Sequence, residues 1–198
     1  MLRTVVVHDE NLMCSGLVQL LRSDDTLDVS SLCSQTEGLE RPEPSADVCV
    51  MDGECLTGPD KGHGERLWTR YGDRLVVLTT AKRPGVLRRA FDRGALGLVD
   101  KNAPAHRLIT AVHTVARGER FLDESLTVVL LTCAEMPLTN RELSVLALAS
   151  QGAPIAEIAA HLHLSRGTVR NYMATAIRKV GGRNRIDAIR IVQSAGWT

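Results

Sequence analysis

The chain is poor in aromatic residues, with two Trp, two Tyr and two Phe among 198 residues. Proteins that bind single-stranded nucleic acid stack its bases on aromatic side chains, so this scarcity argues against that class. The sequence also lacks a run of about eighteen apolar residues, which a membrane-spanning helix needs. The N-terminal stretch MLRTVVVHDE has neither the apolar core nor the cleavage site of a secretory signal. We therefore expect a cytoplasmic protein that does not bind membranes.

Cysteine is sparse and irregularly placed. A disulfide framework or a zinc site needs closely spaced pairs of ligating residues, and no Cys-x-x-Cys pair is present. The sequence therefore predicts neither. Lysine is rare as well, with four Lys against twenty Arg, which is typical of a GC-rich genome. The cysteines are Cys14, Cys33, Cys49, Cys55 and Cys133.

Positive charge is concentrated near the C-terminus, although the formal net charge of the whole chain is only +1. Residues 138–198 contain eight Lys and Arg against three Asp and Glu, whereas residues 1–137 contain sixteen against twenty. Between Ser165 and Arg185 there are six basic residues and no acidic one. Such a stretch predicts a surface that binds phosphate groups. A nucleic-acid site is therefore expected in the C-terminal part.

The C-terminal part has the pattern of several short amphipathic helices. Gly152 is typical of a helix stop, Pro154 suits a first helical turn, and Ser165 is a candidate N-cap. Apolar periodicity predicts helices over residues 139–150, 154–161, 165–179 and 185–195. The third of these helices has an apolar face, and its opposite face carries Arg166, Arg170, Asn171 and Arg178.

The segments LTNRELSVL, IAEIAAHLHLS and GTVRN resemble the LuxR-type helix-turn-helix of NarL/FixJ-type response regulators. The resemblance covers nearly all of residues 138–196 and implies that the helix containing Val169 enters the major groove of DNA. It implies base contacts by Arg170 and Asn171, since Arg pairs bidentately with guanine and Asn with adenine. It further implies phosphate contacts by Ser165, Arg166, Thr168, Arg178 and Lys179.

Some of these residues have a second interpretation. Ser165 and Thr168 also suit helix capping, and Arg166 and Arg178 also suit a solvated surface. Ala174 lies one turn after Arg170, where the family often has a further basic residue. We therefore expect no base contact from that turn.

Residues 1–117 alternate buried strands with helices. Apolar runs predict strands over residues 4–8, 27–33, 48–51, 75–79 and 97–99, with helices over 12–21, 86–93 and 105–117. This alternation predicts an α/β domain with a doubly wound, five-stranded parallel sheet. In such a sheet the functional site lies beyond the carboxyl ends of the strands. The residues expected there are His8, Asp9, Glu10, Asp52, Thr79, Thr80 and Lys101.

The segments ADVCVMDGE, LVVLTTA and RGALGLVDKNAP resemble the receiver domain of response regulators. The resemblance implies that Asp52 accepts a phosphoryl group and that Thr79 and Lys101 contact it. It implies Mg²⁺ as a cofactor, bound by Asp9, Asp52 and the backbone carbonyl of Glu54. It also implies a two-component system with a sensor histidine kinase as partner.

Three features depart from the receiver pattern. His8 stands where the first of two consecutive acidic residues is usual, so Mg²⁺ should bind weakly. Leu98 occupies the position of an aromatic switch residue, and the loop after Asp52 lacks the usual Met-Pro turn. Two versions of the domain follow. In one, phosphorylation of Asp52 changes the dimer surface; in the other, the receiver is atypical and acts through constitutive dimers, a bound small molecule or a partner protein.

The complete prediction is a homodimeric, DNA-binding transcriptional regulator without enzymatic activity. Its composition and its family together suggest an actinobacterial source. The alternatives are a phosphorelay module, which would function without the C-terminal part, and an RNA-binding antiterminator, which would prefer single-stranded RNA to duplex DNA. The predicted organisation is a receiver-like domain over 1–117, a linker over 118–137 with a helix near 126–131, and a helix-turn-helix domain over 138–198.

Overall fold

The structure is a computed structural model that describes residues 1–33, 45–56, 61–132 and 136–197. The chain divides into two compact units, Met1–Thr132 and Cys133–Thr198. Each unit has its own buried apolar core. Within these described ranges, every helix is too short or too polar to cross a membrane. The predicted order of an α/β domain followed by a small all-α domain is confirmed.

The first unit is built on a parallel sheet. Its strands are β1 (Leu2–His8), β2 (Leu27–Cys33), β3 (Val48–Asp52), β4 (Leu75–Thr79), β5 (Gly97–Asp100) and β6 (Phe121–Leu122). Over the described residues their order is β2-β1-β3-β4-β5-β6. The prediction of five strands was wrong by one. A two-residue strand leaves no periodic signal, and β6 forms because Phe121 and Leu122 pair with Gly97 and Leu98.

Helices cover both faces of this sheet. They are α1 (Asn11–Leu21), α2 (Lys61–Tyr71), α3 (Pro84–Asp92), α4 (Ala105–Ala116) and α5 (Glu124–Thr132), with a 3₁₀ turn over Gly53–Leu56. One apolar cluster lies beneath α1 and α4, and a second lies beneath α2, α3 and α5. Strands β3, β4 and β5 are buried along their whole length, which explains why they read as continuous apolar runs.

Helix α5 belongs to the first compact unit, whereas the sequence placed residues 118–137 between the domains. The helix expected near residues 126–131 is present. Its Leu126 side chain is fully buried, and Val129 and Leu130 contact the same apolar cluster as β5 and α3. Burial of this apolar run therefore attaches α5 to the sheet, and the first unit extends to Thr132.

The second unit consists of helices α6 (Asn140–Ser150), α7 (Ile155–His161), α8 (Arg166–Lys179) and α9 (Arg185–Ser194), as predicted. Side chains cap three of the helix starts. Thr139 and Glu142 form a capping box on α6, Ser165 caps α8, and Asn184 caps α9. The core includes Val145, Leu146, Ile158, Val169, Ala176 and Val192.

Thr4 on β1 is a buried hydroxyl that has no hydrogen-bond partner among the described residues. An unsatisfied buried polar group costs roughly 1–3 kcal/mol. We predict that Thr4→Val, which keeps the shape and removes the hydroxyl, raises the free energy of unfolding by about 1 kcal/mol. Urea denaturation of the first unit measures this change, with Thr4→Ser as the control that keeps the hydroxyl. A lower midpoint for Thr4→Val than for the unmodified chain would contradict the assignment.

Candidate functional sites

Asp52 lies at the centre of a polar pocket at the carboxyl ends of the strands. It is the last residue of β3, and its side chain is 3% exposed. Its Oδ2 accepts a hydrogen bond from Lys101 Nζ at 2.6 Å and lies 2.9 Å from His8 Nε2. Its Oδ1 accepts from the backbone N–H of Glu54 at 2.9 Å. Both carboxylate oxygens are therefore engaged by donors of the chain itself.

His8, the last residue of β1, lies between two carboxylates. Its Nδ1 is 3.0 Å from Asp9 Oδ1 and 3.0 Å from the backbone nitrogen of Glu10. A neutral ring accepts the Glu10 N–H at Nδ1 and carries its proton on Nε2. A protonated ring donates from Nδ1 to Asp9 instead. In both forms Nε2–H donates to Asp52.

The other residues expected in the phosphoryl pocket lie at the same edge of the sheet. Thr79 is the buried last residue of β4, and Lys101 directly follows β5. The backbone N–H of Lys101 donates to the carbonyl oxygen of Thr79 at 2.8 Å. Asp9, with a side chain that is 49% exposed, lies at the rim. Asp52, Thr79 and Lys101 are thus together, as parallel strands require.

The residues expected to bind Mg²⁺ do not fit this ion well. Two donors, the Lys101 ammonium and His8 Nε2–H, point at Asp52 Oδ2, where a cation would be repelled. The ligand expected from Glu54 is its backbone carbonyl, and its carboxylate pairs separately with Arg83 at 2.6 Å. In the part of the chain that the structure describes, no group of three or more His, Cys, Asp or Glu side chains is arranged to hold a metal ion. The donor set therefore does not support the magnesium site implied by the receiver resemblance.

Asp100, next to Lys101, joins the pocket to α5. Its Oδ2 accepts from Ser125 Oγ at 2.8 Å, and its backbone N–H donates to Asp123 Oδ2 at 2.8 Å. Arg107 holds the other oxygen of Asp123 at 2.7 Å. No sequence pattern marks Asp100, Arg107, Asp123 or Ser125 as functional. Asp123 and Ser125 lie 23 and 25 positions after Asp100 along the chain, so no local sequence pattern predicts these contacts.

A cavity of about 370 Å³ opens beside the pocket, between α1 and the start of α4. Its floor includes Asp52 and Lys101, and its walls include the apolar side chains of Met13, Leu17 and Leu108. This size falls within the range of small-molecule sites. The receiver unit therefore has an apolar recess directly against its polar pocket.

In the second unit, helix α8 presents basic side chains to solvent. Arg166, Arg170, Ala174 and Arg178 follow one another at intervals of one helical turn along one face. Within the described ranges, the guanidinium groups of Arg166 and Arg170 have no hydrogen-bond or ion-pair partner, and Arg178 contacts Thr175 at 3.4 Å. These side chains are available to an external anion. The exposed polar residues of this helix include Arg166, Arg170, Asn171 and Arg178.

Other residues of the basic stretch 165–185 are engaged within the fold. Lys179 Nζ lies 2.8 Å from Glu142 Oε2, so its ammonium joins α8 to α6. Ser165 Oγ accepts from the Thr168 N–H at 3.0 Å and lies 2.8 Å from Thr168 Oγ1. Arg185 donates to two backbone carbonyl oxygens. The charge count alone did not separate these structural residues from the exposed arginines.

Glu142 connects the capping box of α6 to α8. Its Oε2 accepts from the Thr139 N–H at 2.7 Å and from Lys179 Nζ at 2.8 Å. Burial raises the pKa of Glu142, but the hydrogen bonds from Lys179 and Thr139 outweigh it and hold this pKa below 4.5. A carboxyl with a lowered pKa stabilises the fold above its unfolded-state pKa, and that stabilisation is lost as the pH falls through the folded-state pKa.

We predict that Glu142→Gln lowers the free energy of unfolding of the second unit by about 1–3 kcal/mol near neutral pH. The difference from the unmodified chain should shrink as the pH falls from the ordinary Glu pKa of 4.5 through the lower folded-state pKa, because the unmodified carboxyl also becomes protonated there. Trp197 fluorescence reports on this unit in a Trp68→Phe background. Arg190→Gln, which breaks an exposed ion pair with Asp187, is the control and should have little effect. A difference that does not change with pH would rule out a role for the charge.

Known proteins are similar to this chain over both units. Residues 136–192 match the bacterial regulatory proteins of the luxR family. The response regulator RamR of Streptomyces coelicolor is 79% identical, over 100% of this chain and 98% of RamR. The transcriptional regulatory protein DesR of Bacillus subtilis is 32% identical, over 100% of this chain and 99% of DesR. RcsB from Salmonella enterica serovar Typhimurium, solved bound to promoter rprA, shares the fold with a TM-score of 0.62 and 24% identity, over 98% of this chain and 99% of that one.

Proposed function

The chain belongs to the LuxR-type response regulators, which are DNA-binding transcriptional regulators, and we propose that it binds DNA as a homodimer whose receiver needs no phosphoryl group. The observation that carries the proposal is the engagement of Asp52 by His8 and Lys101.

The receiver part of the proposal concerns the charge around Asp52. To accept a phosphoryl group, a carboxylate oxygen must attack phosphorus while a hard cation offsets the negative charge. Here His8 Nε2–H and the Lys101 ammonium both donate to Oδ2, which lowers its nucleophilicity. Because the Asp52 side chain is 3% exposed, such partners offset the cost of burying its carboxylate. Lys101 thereby supplies a counter-charge from within the chain, and His8 adds a hydrogen-bond donor, without a phosphoryl group.

The DNA-binding part concerns the exposed face of α8. Arg170 and Asn171 lie in the first half of the helix and act as the base-reading residues, because their side chains match the edges of guanine and adenine. Arg166 and Arg178, near the two ends, neutralise phosphates. Ser165 and Thr168 cap the helix, and Lys179 positions it through Glu142. This division assigns a separate role to each residue that the sequence grouped together.

Dimerisation follows from the symmetry of duplex sites, since a two-fold site is matched by a two-fold protein. Helix α1 carries the exposed apolar residues Leu12 and Met13, which are 82% and 50% exposed, beside the 370 Å³ cavity. Helix α9 carries Ile186, which is 78% exposed. Leu12 and Met13 together form an exposed apolar patch of the kind that marks a contact surface, and Ile186 adds a single exposed apolar side chain on α9. We assign the contact between receiver units to α1 and the contact between DNA-binding units to α9.

Selection of duplexes from a random library by the full chain, followed by sedimentation velocity of the complex, tests the proposal. We expect an enriched two-fold sequence bound by two chains. One chain per duplex would reject the homodimer. Stronger competition by single-stranded RNA than by duplex DNA of equal length would favour an antiterminator.

A further inference from the structure

We infer that Asp100 and Ser125 are positioning residues that couple the receiver pocket to helix α5, and that this coupling sets the DNA affinity of the full chain. The inference rests on the proposed function, because DNA affinity is the property that it explains. It concerns two buried carboxylates, Asp100 and Asp123, which the phosphoryl-pocket chemistry does not use.

The first link joins Asp52 to Asp100. Lys101 Nζ donates to Asp52 at 2.6 Å, and Asp100 is the preceding residue at the end of β5. Asp100 Oδ1 accepts from the backbone N–H and the side-chain Nδ2 of Asn102, at 2.9 Å and 3.0 Å. These bonds on both sides of Lys101 hold the turn in one conformation. We expect a displacement of the Lys101 backbone to move the Asp100 carboxylate with it.

The second link joins Asp100 to the start of α5. Ser125 Oγ donates to Asp100 Oδ2 at 2.8 Å, and the Asp100 N–H donates to Asp123 at 2.8 Å. Asp123 is tied in turn to Arg107 of α4. Asp123, directly before α5, and Ser125, in the first turn of α5, are thus both hydrogen-bonded to Asp100. Helix α5 is also the last described element before the chain continues into the second unit.

Attachment of α5 does not by itself require these polar contacts. Leu126 is fully buried, and Val129 and Leu130 contact the same core, so apolar burial already holds the helix on the sheet. Burying a carboxylate is costly, and a protein with apolar residues of similar volume in its place is often as stable or more stable. What the Asp100–Ser125 hydrogen bond adds is geometric: it sets the first turn of α5 relative to Lys101. Loss of the Lys101–Asp52 contact should therefore loosen that turn.

Two measurements on the full chain test the coupling. DNA affinity is measured by fluorescence anisotropy on a duplex of about 30 base pairs, long enough for two half-sites, selected by the unmodified chain. We expect Ser125→Ala to weaken binding about 5- to 10-fold. Ser125→Thr, which keeps the hydroxyl, should restore it. The matched control is Thr127→Ala, which removes a hydroxyl of the same helix that donates to the Asp123 carbonyl oxygen. It should bind DNA as the unmodified chain does.

The second measurement is amide hydrogen exchange in peptides covering Glu124–Thr132. We expect Lys101→Ala to speed exchange there, and Ser125→Ala to add little in the Lys101→Ala background. Unchanged exchange in Lys101→Ala would overturn the coupling, and so would unchanged DNA affinity of Ser125→Ala at a temperature where the chain is fully folded. Additive effects of the two substitutions on exchange would show independent structural roles and would also overturn it. Arg170→Ala on the same duplex reports separately on the α8 interface, and exchange does not depend on DNA.

Discussion

His8→Asp should acquire a phosphoryl group on Asp52 when the purified chain is incubated with acetyl phosphate and Mg²⁺, whereas the unmodified chain should not. The substitution replaces a donor that points at Asp52 Oδ2 with a carboxylate beside Asp9. It creates the acidic pair that a hard cation prefers and frees one lone pair of the acceptor oxygen. Intact mass spectrometry measures the adduct directly.

The expected effect of this substitution is large because the charge lies close to the cation. Two unit charges about 4 Å apart attract by about 4 kcal/mol at an effective dielectric constant near 20, and the divalent Mg²⁺ doubles this Coulomb term; even after desolvation removes about half of it, the gain is roughly a thousandfold in Mg²⁺ affinity. His8→Asn, which removes the imidazole without adding charge, separates the two contributions and should gain far less. Asp52→Asn in the His8→Asp background is the control for the site of modification.

Either of two results would contradict this expectation. An adduct on the unmodified chain would show that Asp52 accepts a phosphoryl group despite His8, and the phosphorylation-dependent version of the receiver would replace the one proposed. No adduct on His8→Asp would mean that the imidazole is not what limits the pocket. The altered loop after Asp52 would then be the next feature to test, although residues 57–60 of that loop lie outside the described ranges.

Arg170→Ala should lower the affinity for the selected duplex by about 1–3 kcal/mol and relax the base preference at one position of each half-site. The Arg170 side chain is exposed and, within the described residues, has no partner, so its loss should leave the fold unchanged. Arg178→Ala should instead weaken binding to every duplex and reduce the salt slope by about 0.9. Anisotropy titrations over a salt series, on selected and scrambled duplexes, measure both quantities.

The control for this pair is Arg183→Ala. Arg183 belongs to the same basic stretch and its side chain is 85% exposed, but it lies outside α8 and pairs with Asp187. We expect a small effect on affinity and no effect on base preference. Equal loss of specificity in Arg170→Ala and Arg178→Ala would contradict the division into base-reading and phosphate-binding residues. An effect of Arg183→Ala as large as that of Arg170→Ala would argue for non-specific attraction.

Several features were determined by the sequence alone, because they depend on local patterns. Alternating apolar runs predicted the parallel sheet, and the ends of those runs predicted that Asp52, Thr79 and Lys101 would meet at one edge. This works because the carboxyl ends of parallel strands lie together whatever the loops contain. The helical periodicity of residues 138–198 likewise predicted the four helices of the second unit and the polar face of α8, since a period of 3.6 residues reports burial directly.

The partners of the polar side chains were decided only by the tertiary structure. The sequence identified His8 as unusual but not its contact with Asp52, and it assigned Lys179 to phosphate although Glu142, 37 positions away, holds its ammonium. Strand β6, which pairs with β5, and the hydrogen bond between Asp100 and Ser125 likewise depend on contacts between residues far apart in the chain. Periodicity records whether a residue is buried. Which donor meets which acceptor depends on distances in space between elements far apart in the chain, and only the folded arrangement sets those distances.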